Sequence, residues 1–135
     1  MTAVALSALA LADVLAATGG VLASPGPGPL AFASVSIDSR TLERGALFVA
    51  IAGPRFDGHD FLAEATARGA AAAIVEREAA APKALPLVRV ADTTRALGDL
   101  ARHVRRRAAV SVVGITGSVG KTTTKDMAAE VLAAL

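Results

Sequence analysis

The chain has 135 residues, enough for one domain with its own core, or for a small domain and part of another. Hydrophobic residues make up 53%, yet aromatics are only 3% and all are Phe, so the core must be built from small side chains and close backbone approaches. Formal net charge is +2 and Cys is absent, which excludes disulfides, thiol nucleophiles and Cys-ligated metals and offers no strong positive field for nucleic acid.

No apolar run reaches the roughly 18 residues that a membrane span requires. The opening segment, MTAVALSALALADVLAATGG, lacks a positively charged start and carries Asp13 within its apolar stretch, so it reads as an N-terminal helix and not as an export signal. Leu6, Leu9, Leu11 and Leu15 suit an amphipathic helix, with Gly19 and Gly20 as its stop. These features and the lack of Cys point to the cytoplasm.

SPGPGPL, Ser24–Leu30, reads as a loop. AFASVSI then alternates as one half-buried strand, DSRTLERG is a turn ending at Gly45, and ALFVAI, Ala46–Ile51, is a buried strand. After the loop AGPRFDGHD, Asp60 is placed to cap a helix through Phe61, Leu62 and Ala65 to Arg68, with Gly69 just past its end. AAAIVE is a third strand, and REAAAPKALP, with Pro82 and Pro86, marks a boundary. LVRV, Leu87–Val90, is a short strand. Asp92 caps a helix with Leu97, Leu100, Ala101 and Val104 on one face. AVSVVGIT is a strand, and a last helix begins at Gly120 or Lys121. The alternation predicts an α/β fold in two parts, a first domain over 1–85 and the start of a second over 86–135. RHVRRR, Arg102–Arg107, reads as the end of a helix, where cations favour the dipole, and not as a nucleic-acid patch, because no aromatic interleaves it.

The stretch GITGSVGKTTTK, Gly114–Lys125, has what a polyphosphate needs. Small residues let the backbone approach, and a helix begins there with free N–H groups. Lys121 can reach the outer phosphates and the Thr122 hydroxyl can ligate Mg²⁺. The general pattern G-x-x-x-x-G-K-[ST] would put Gly at position 115, where Ile115 stands. Glycines recur here at every third position instead. Lys125, one turn further on, is expected in solvent.

This spaced-glycine loop, TGSVGKTTT, resembles the ATP loop of the Mur ligases, which add amino acids to the peptidoglycan precursor in cell-wall synthesis. The run SIDSRTLERGALFVAIAGPRFDGHDFLAEATARGAAAAIV, Ser36–Val75, is similar to the family's N-terminal domain, which binds a nucleotide sugar. Within the family, SVGKTTTKDM and FDGHDF look like the MurF type, and the MurE type, which adds the third amino acid, is the alternative. The resemblance implies an ATP- and Mg²⁺-dependent ligase joining D-alanyl-D-alanine to UDP-N-acetylmuramoyl-tripeptide through an acyl phosphate. It implies that Gly117, Ser118, Val119, Gly120, Lys121, Thr122 and Thr123 hold the ATP phosphates. Lys121 would neutralise the transferring group and Thr122 would ligate Mg²⁺. Ser39, in the Asp38-Ser39-Arg40 turn, would meet the UDP-sugar as a hydrogen-bond donor. Arg40 would either order that loop or pair with a phosphate. Ile37, Pro54, Arg55 and Phe56 would lie near the uridine. For Asp38, Asp57 and His59 a turn-forming role stands equally beside a ligand-binding one.

The resemblance further implies a small substrate domain followed by the first strand, phosphate loop and helix of an incomplete ATPase domain. On that reading the 135 residues are an N-terminal fragment, inactive alone, whose partner is the remainder of its own chain. Two readings of other kinds compete. One is a compact NTPase, with Asp92 as its only acidic candidate for Mg²⁺. The other is a non-catalytic module that binds a nucleotide or UDP-sugar.

Overall fold

Leu47, Phe48 and Val49 are all fully buried, and so are Ala72–Val75, as expected of parallel strands covered on both faces. They form the middle of the sheet in a computed structural model that describes residues 8–24, 26 and 30–134. In chain order the first unit, which runs to Arg107, contains β1 (Leu9–Ala10), α1 (Leu11–Thr18), β2 (Val21–Ser24), β3 (Ala31–Phe32) and β4 (Val35–Ser36). It continues with β5 (Leu47–Val49), a 3-10 turn (Gly58–Phe61), α2 (Leu62–Ala67), β6 (Ala72–Val75), β7 (Leu87–Arg89) and α3 (Thr93–Arg107). The main sheet has the order β2-β7-β6-β5-β4, parallel except for β2, which runs antiparallel to β7. β1 and β3 form a separate antiparallel pair.

The two-residue period of the strands divides the core. Leu47, Val49, Ala72, Ile74 and Val88 face α1 and α3, where Val14, Ala96 and Leu100 close over them. Phe48, Ala50, Ala73 and Val75 face the other side, against Leu62 and Ala65 of α2. Each such Leu, Phe or Val stabilises the fold by about 1.5–3 kcal/mol on burial. On α3 the predicted stripe holds at Leu97, Leu100 and Val104, but Ala101 is exposed and Ala96 takes its place in the core.

Several expectations change. The opening helix begins only at Leu11, because Leu9 and Ala10 pair with Phe32 and Ala31 and the Asp13 carboxylate accepts the Ala10 N–H at 3.0 Å. Its end at Gly19 is as expected. Leu6, and most of the Ser24–Leu30 loop, lie outside the described residues. The single strand expected over AFASVSI is two: β3 pairs with β1, the chain bends at Ala33, and β4 joins β5. β2 was not anticipated. Asp60 does not cap α2: Asp57 caps the 3-10 turn before it, its carboxylate accepting the His59 N–H at 2.9 Å, and α2 opens at Phe61 without a side-chain cap. Gly69 does end α2.

The boundary expected between residues 85 and 86 is displaced. β7 lies between β6 and β2 in the sheet, and α3 packs its buried face on that sheet, so the chain divides after Arg107. In the second unit the expected strand AVSVVGIT forms no ladder: among the described residues no strand pairs with it. α4 (Lys121–Ala133) starts where expected.

Candidate functional site

The Asp38-Ser39-Arg40 turn follows β4 at the sheet margin and opens on a cleft of about 440 Å³. Asp38 fastens the turn. Its carboxylate accepts the Arg40 backbone N–H at 2.9 Å and takes the Arg40 guanidinium in a forked pair, with Nε at 2.9 Å and Nη2 at 2.7 Å. That guanidinium holds the Asp38 carboxyl down at about 2, with the Arg40 N–H as the next cause. Arg40 is thereby tied into the turn. Ser39 is nearly buried and donates its hydroxyl proton to Glu64 Oε2 at 3.0 Å. Its proton is thus directed at the protein in this structure.

The walls of the cleft are apolar. Ile37, Phe48, Ile51, Phe56 and Phe61 line it, and Phe56 meets Phe61 edge to face at 6.5 Å between centroids. Phe56 is 72% exposed, an unusual state for so large an apolar ring. Gly58 closes one side. A Cβ there would lie 2.7 Å from the Ile51 nitrogen and 2.8 Å from Ala50 backbone atoms, so only Gly fits. The structure therefore brings together Ile37, Asp38, Ser39, Arg40 and Phe56 of the expected substrate residues, while Pro54 and Arg55 do not line the cleft. Phe61 and Glu64 were missed. Their i, i+3 spacing at the start of a predicted helix, which puts both on one face, was the available signal.

Beside the cleft a part-buried chain of hydrogen bonds ties down its loop. The His59 side chain is fully buried. Its Nε2 accepts the Glu76 N–H at 3.1 Å, so the ring proton sits on Nδ1, which donates to Asp57 Oδ1 at 2.6 Å. Arg77 holds the other Asp57 oxygen. Arg77, with the His59 N–H next in weight, drives the Asp57 carboxyl well below its ordinary range. Glu76 then turns its carboxylate to Thr93, accepting the backbone N–H at 3.0 Å and the hydroxyl at 3.2 Å. Of the open choices for Asp57 and His59, this arrangement shows the structural one. Asp92 accepts the Arg95 N–H at 2.8 Å as the cap of α3. Arg107 pairs with Asp13 and Arg102 with Asp99, in keeping with a helix end.

Asp38 and Asp57 both have lower pKa values folded than unfolded, where 3.8 is ordinary. Below that value the unfolded chain binds protons that the folded one still refuses, so stability falls as pH drops. The urea midpoint is expected to hold from pH 7 to about 5 and to fall steadily from about pH 4 towards 2. A flat midpoint down to pH 2.5 would refute the pairing.

In the second unit, Gly120 turns the chain into α4 with φ at 81°, a left-handed conformation that suits Gly. The first bond across the start of the helix runs from the Thr124 N–H to the Gly120 carbonyl at 2.9 Å, so the N–H groups of Lys121, Thr122 and Thr123 precede it. Lys121 folds its ammonium back onto the Gly117 carbonyl. Ser118, Val119, Thr122 and Thr123 are exposed. This donor set fits a polyphosphate. Among the described residues no cluster of three or more His, Cys, Asp or Glu could hold a metal alone. Lys125 is exposed beside Asp126, as expected. Among the described residues no helix is long and apolar enough to cross a membrane.

Residues 31–105 match the family described as Mur ligase family, catalytic domain. A UDP-N-acetylmuramoyl-tripeptide–D-alanyl-D-alanine ligase of Escherichia coli K12 is 46% identical over 99 residues, which is 73% of this chain and 22% of that protein. Ligases named for 2,6-diaminopimelate match at comparable identity. A crystal structure of MurF from Acinetobacter baumannii superposes with a TM-score of 0.87 at 38% identity, covering 98% of this chain and 29% of that one. MurF of Thermotoga maritima in complex with ADP, 41% identical, gives a TM-score of 0.59 over 68% of this chain and 21% of that one. The chain thus spans between about a fifth and three tenths of the length of the proteins it matches.

Proposed function

The chain belongs to the Mur ligase family, and from that premise we propose that it supplies the nucleotide-sugar cleft and the phosphate loop of a MurF-type ligase. The reaction joins D-alanyl-D-alanine to UDP-N-acetylmuramoyl-tripeptide at the expense of ATP, in the cytoplasmic stage of peptidoglycan synthesis. One observation carries the reading. Five residues expected from sequence to meet the UDP-sugar line a single cleft with apolar walls and a charged turn.

In this scheme the first unit binds UDP-N-acetylmuramoyl-tripeptide. Ile37 and Phe56 provide the apolar surface, and the Asp38–Arg40 pair holds the turn that carries Ser39. Pro54 and Arg55 shape the loop leading to Phe56. The second unit begins the ATP site. Gly117 to Thr123 would wrap the phosphates with backbone N–H groups, and Lys121 would add a fixed positive charge where negative charge builds up. Mg²⁺, when bound with ATP, would neutralise phosphate charge and take Thr122 as one ligand. The acceptor end and the rest of the ATP site would come from the remaining domains of such a ligase.

The natural gene product, given ATP and Mg²⁺, is expected to release phosphate only when UDP-N-acetylmuramoyl-tripeptide and D-alanyl-D-alanine are both present. Release with UDP-N-acetylmuramoyl-dipeptide and a free diamino acid would instead establish the MurE type. Phosphate release from ATP alone would favour a compact NTPase. Asp92, the acidic residue that rival requires, is already engaged as the cap of α3.

A further inference from the structure

A second basin, of about 620 Å³, shares no lining residue with the cleft. Strands β6 and β7 build it through their register. Ala73 pairs with Leu87 and Val75 with Arg89, so the two-residue period of the strands sets Leu87 and Arg89 on the α2 face of the sheet beside Val75. Arg77 and Glu78 follow Val75 on the next loop and line the basin together with Arg89. Val75, Ala79 and Leu87 supply its apolar lining. Its charges are largely uncommitted. Among the described residues Glu78 and Arg89 have no ion-pair partner. Arg77 gives one nitrogen, Nη2, to Asp57. A guanidinium carries five N–H donors, so most of those on Arg77 remain for a ligand. The contact with Asp57 already holds the side chain, so a ligand need not order it.

We infer that this basin is a site for inorganic phosphate, held by Arg77 and Arg89 and selected by Glu78. Two guanidinium groups suit a tetrahedral oxyanion, because each can give it parallel N–H bonds. The apolar lining keeps water from part of the ligand and so strengthens those bonds. Glu78 decides which oxyanion fits. An ionised carboxylate accepts hydrogen bonds and cannot donate them, so it repels a ligand that offers lone pairs alone. At neutral pH phosphate keeps at least one O–H to donate to Glu78, whereas sulfate keeps none. The basin therefore reads the phosphate proton. The loop Gly117–Thr123, with backbone N–H groups and the Lys121 ammonium, presents donors to an anion and has no carboxylate with which to tell the two apart.

Nitrogen-15 NMR of the whole chain, titrated with phosphate and with sulfate at pH 7.5 and matched ionic strength, tests this. The backbone N–H signals of Ala79, Leu87 and Arg89 report the basin, and those of Gly117–Thr123 report the loop separately. In the basin phosphate is expected to bind about tenfold or more tighter than sulfate, the usual consequence of one acceptor left unmatched. Glu78→Gln, whose amide can donate to either anion, should raise sulfate affinity until the ratio approaches one. Arg89→Ala should weaken phosphate in the basin about tenfold and leave the response of the loop unchanged. Arg89 is exposed, so its truncation is not expected to unfold the chain. If phosphate moves only the loop signals, if sulfate binds the basin as well as phosphate does, or if Glu78→Gln keeps the full ratio, the inference fails. The nucleotide-sugar reading of the cleft stands or falls apart from it. The comparison of the two anions on the wild-type chain needs no variant, so the test survives a substitution that does not fold.

Discussion

Lys121→Ala is expected to lower the ligase turnover of the natural gene product by about 10²–10³-fold, the typical cost of removing one preorganised charge from a site where negative charge develops. The substitution leaves the loop in place. Lys121 is exposed at the first position of α4, Ala is the better helix former, and the backbone N–H groups of Thr122 and Thr123 are untouched. Among the described residues its one hydrogen-bond partner is the Gly117 carbonyl, which solvent can satisfy instead. The loss should therefore appear in turnover and not in the melting temperature. Lys121→Arg keeps the charge but replaces a compact ammonium with a broad planar fork, and is expected to restore little. Phosphate release in the presence of both substrates measures the effect. Turnover of the alanine variant within about threefold of wild type would remove Lys121 from the proposed ATP site.

The largest expected loss of stability follows from His59→Ala. The imidazole is fully buried and uses both nitrogens, one to accept the Glu76 N–H and one to donate to Asp57. Its removal opens a cavity and leaves a main-chain N–H without its partner. Cavity creation in cores costs about 2–5 kcal/mol, and an orphaned buried donor about 1–3 kcal/mol. The two overlap here, because water can enter beside the half-exposed loop and satisfy the donor, so about 3 kcal/mol is the expected total. Gln at this position can present a side-chain oxygen to Glu76 without reproducing the bond to Asp57, and should fall between the two. Urea unfolding at pH 7 separates the cases. An alanine variant within about 0.5 kcal/mol of wild type would show that the chain from Asp57 to Thr93 does not hold the loop.

Local signals in the sequence carried far where the physics is local. Gly19 and Gly69 end their helices as expected, Asp92 caps α3, and the apolar runs at Leu47–Val49 and Ala72–Val75 are buried strands. The cleft was legible as a set of residues because Ile37, Asp38, Ser39 and Arg40 are neighbours in sequence, with Phe56 on the next loop. What could not be read depends on distant partners. VLAS offered no clear alternation beside a proline-rich loop, and its strand character comes from pairing with Leu87–Arg89. The run AFASVSI looks uniform, yet its two halves serve different sheets because Leu9 takes one and Leu47 the other. LVRV followed a proline-rich segment and so resembled a new beginning, while tertiary pairing makes it the penultimate strand of the first sheet. The polarity of Ser39 was likewise invisible, since Glu64 meets it only after α2 has packed on the sheet.

The antiparallel strand β2 also bears on how the chain is made. Among the described residues its one ladder partner is β7, roughly 65 residues further on. A ribosome adding about 5–20 residues per second would take several seconds to reach that partner. Throughout that interval α1 and β2 have been synthesised but their place in the sheet does not yet exist, and the apolar face of α1 waits for both β7 and α3. The N-terminal segment should therefore be the last part of the first unit to acquire protection, and nascent chains stalled before Val90 should expose it to proteases and chaperones.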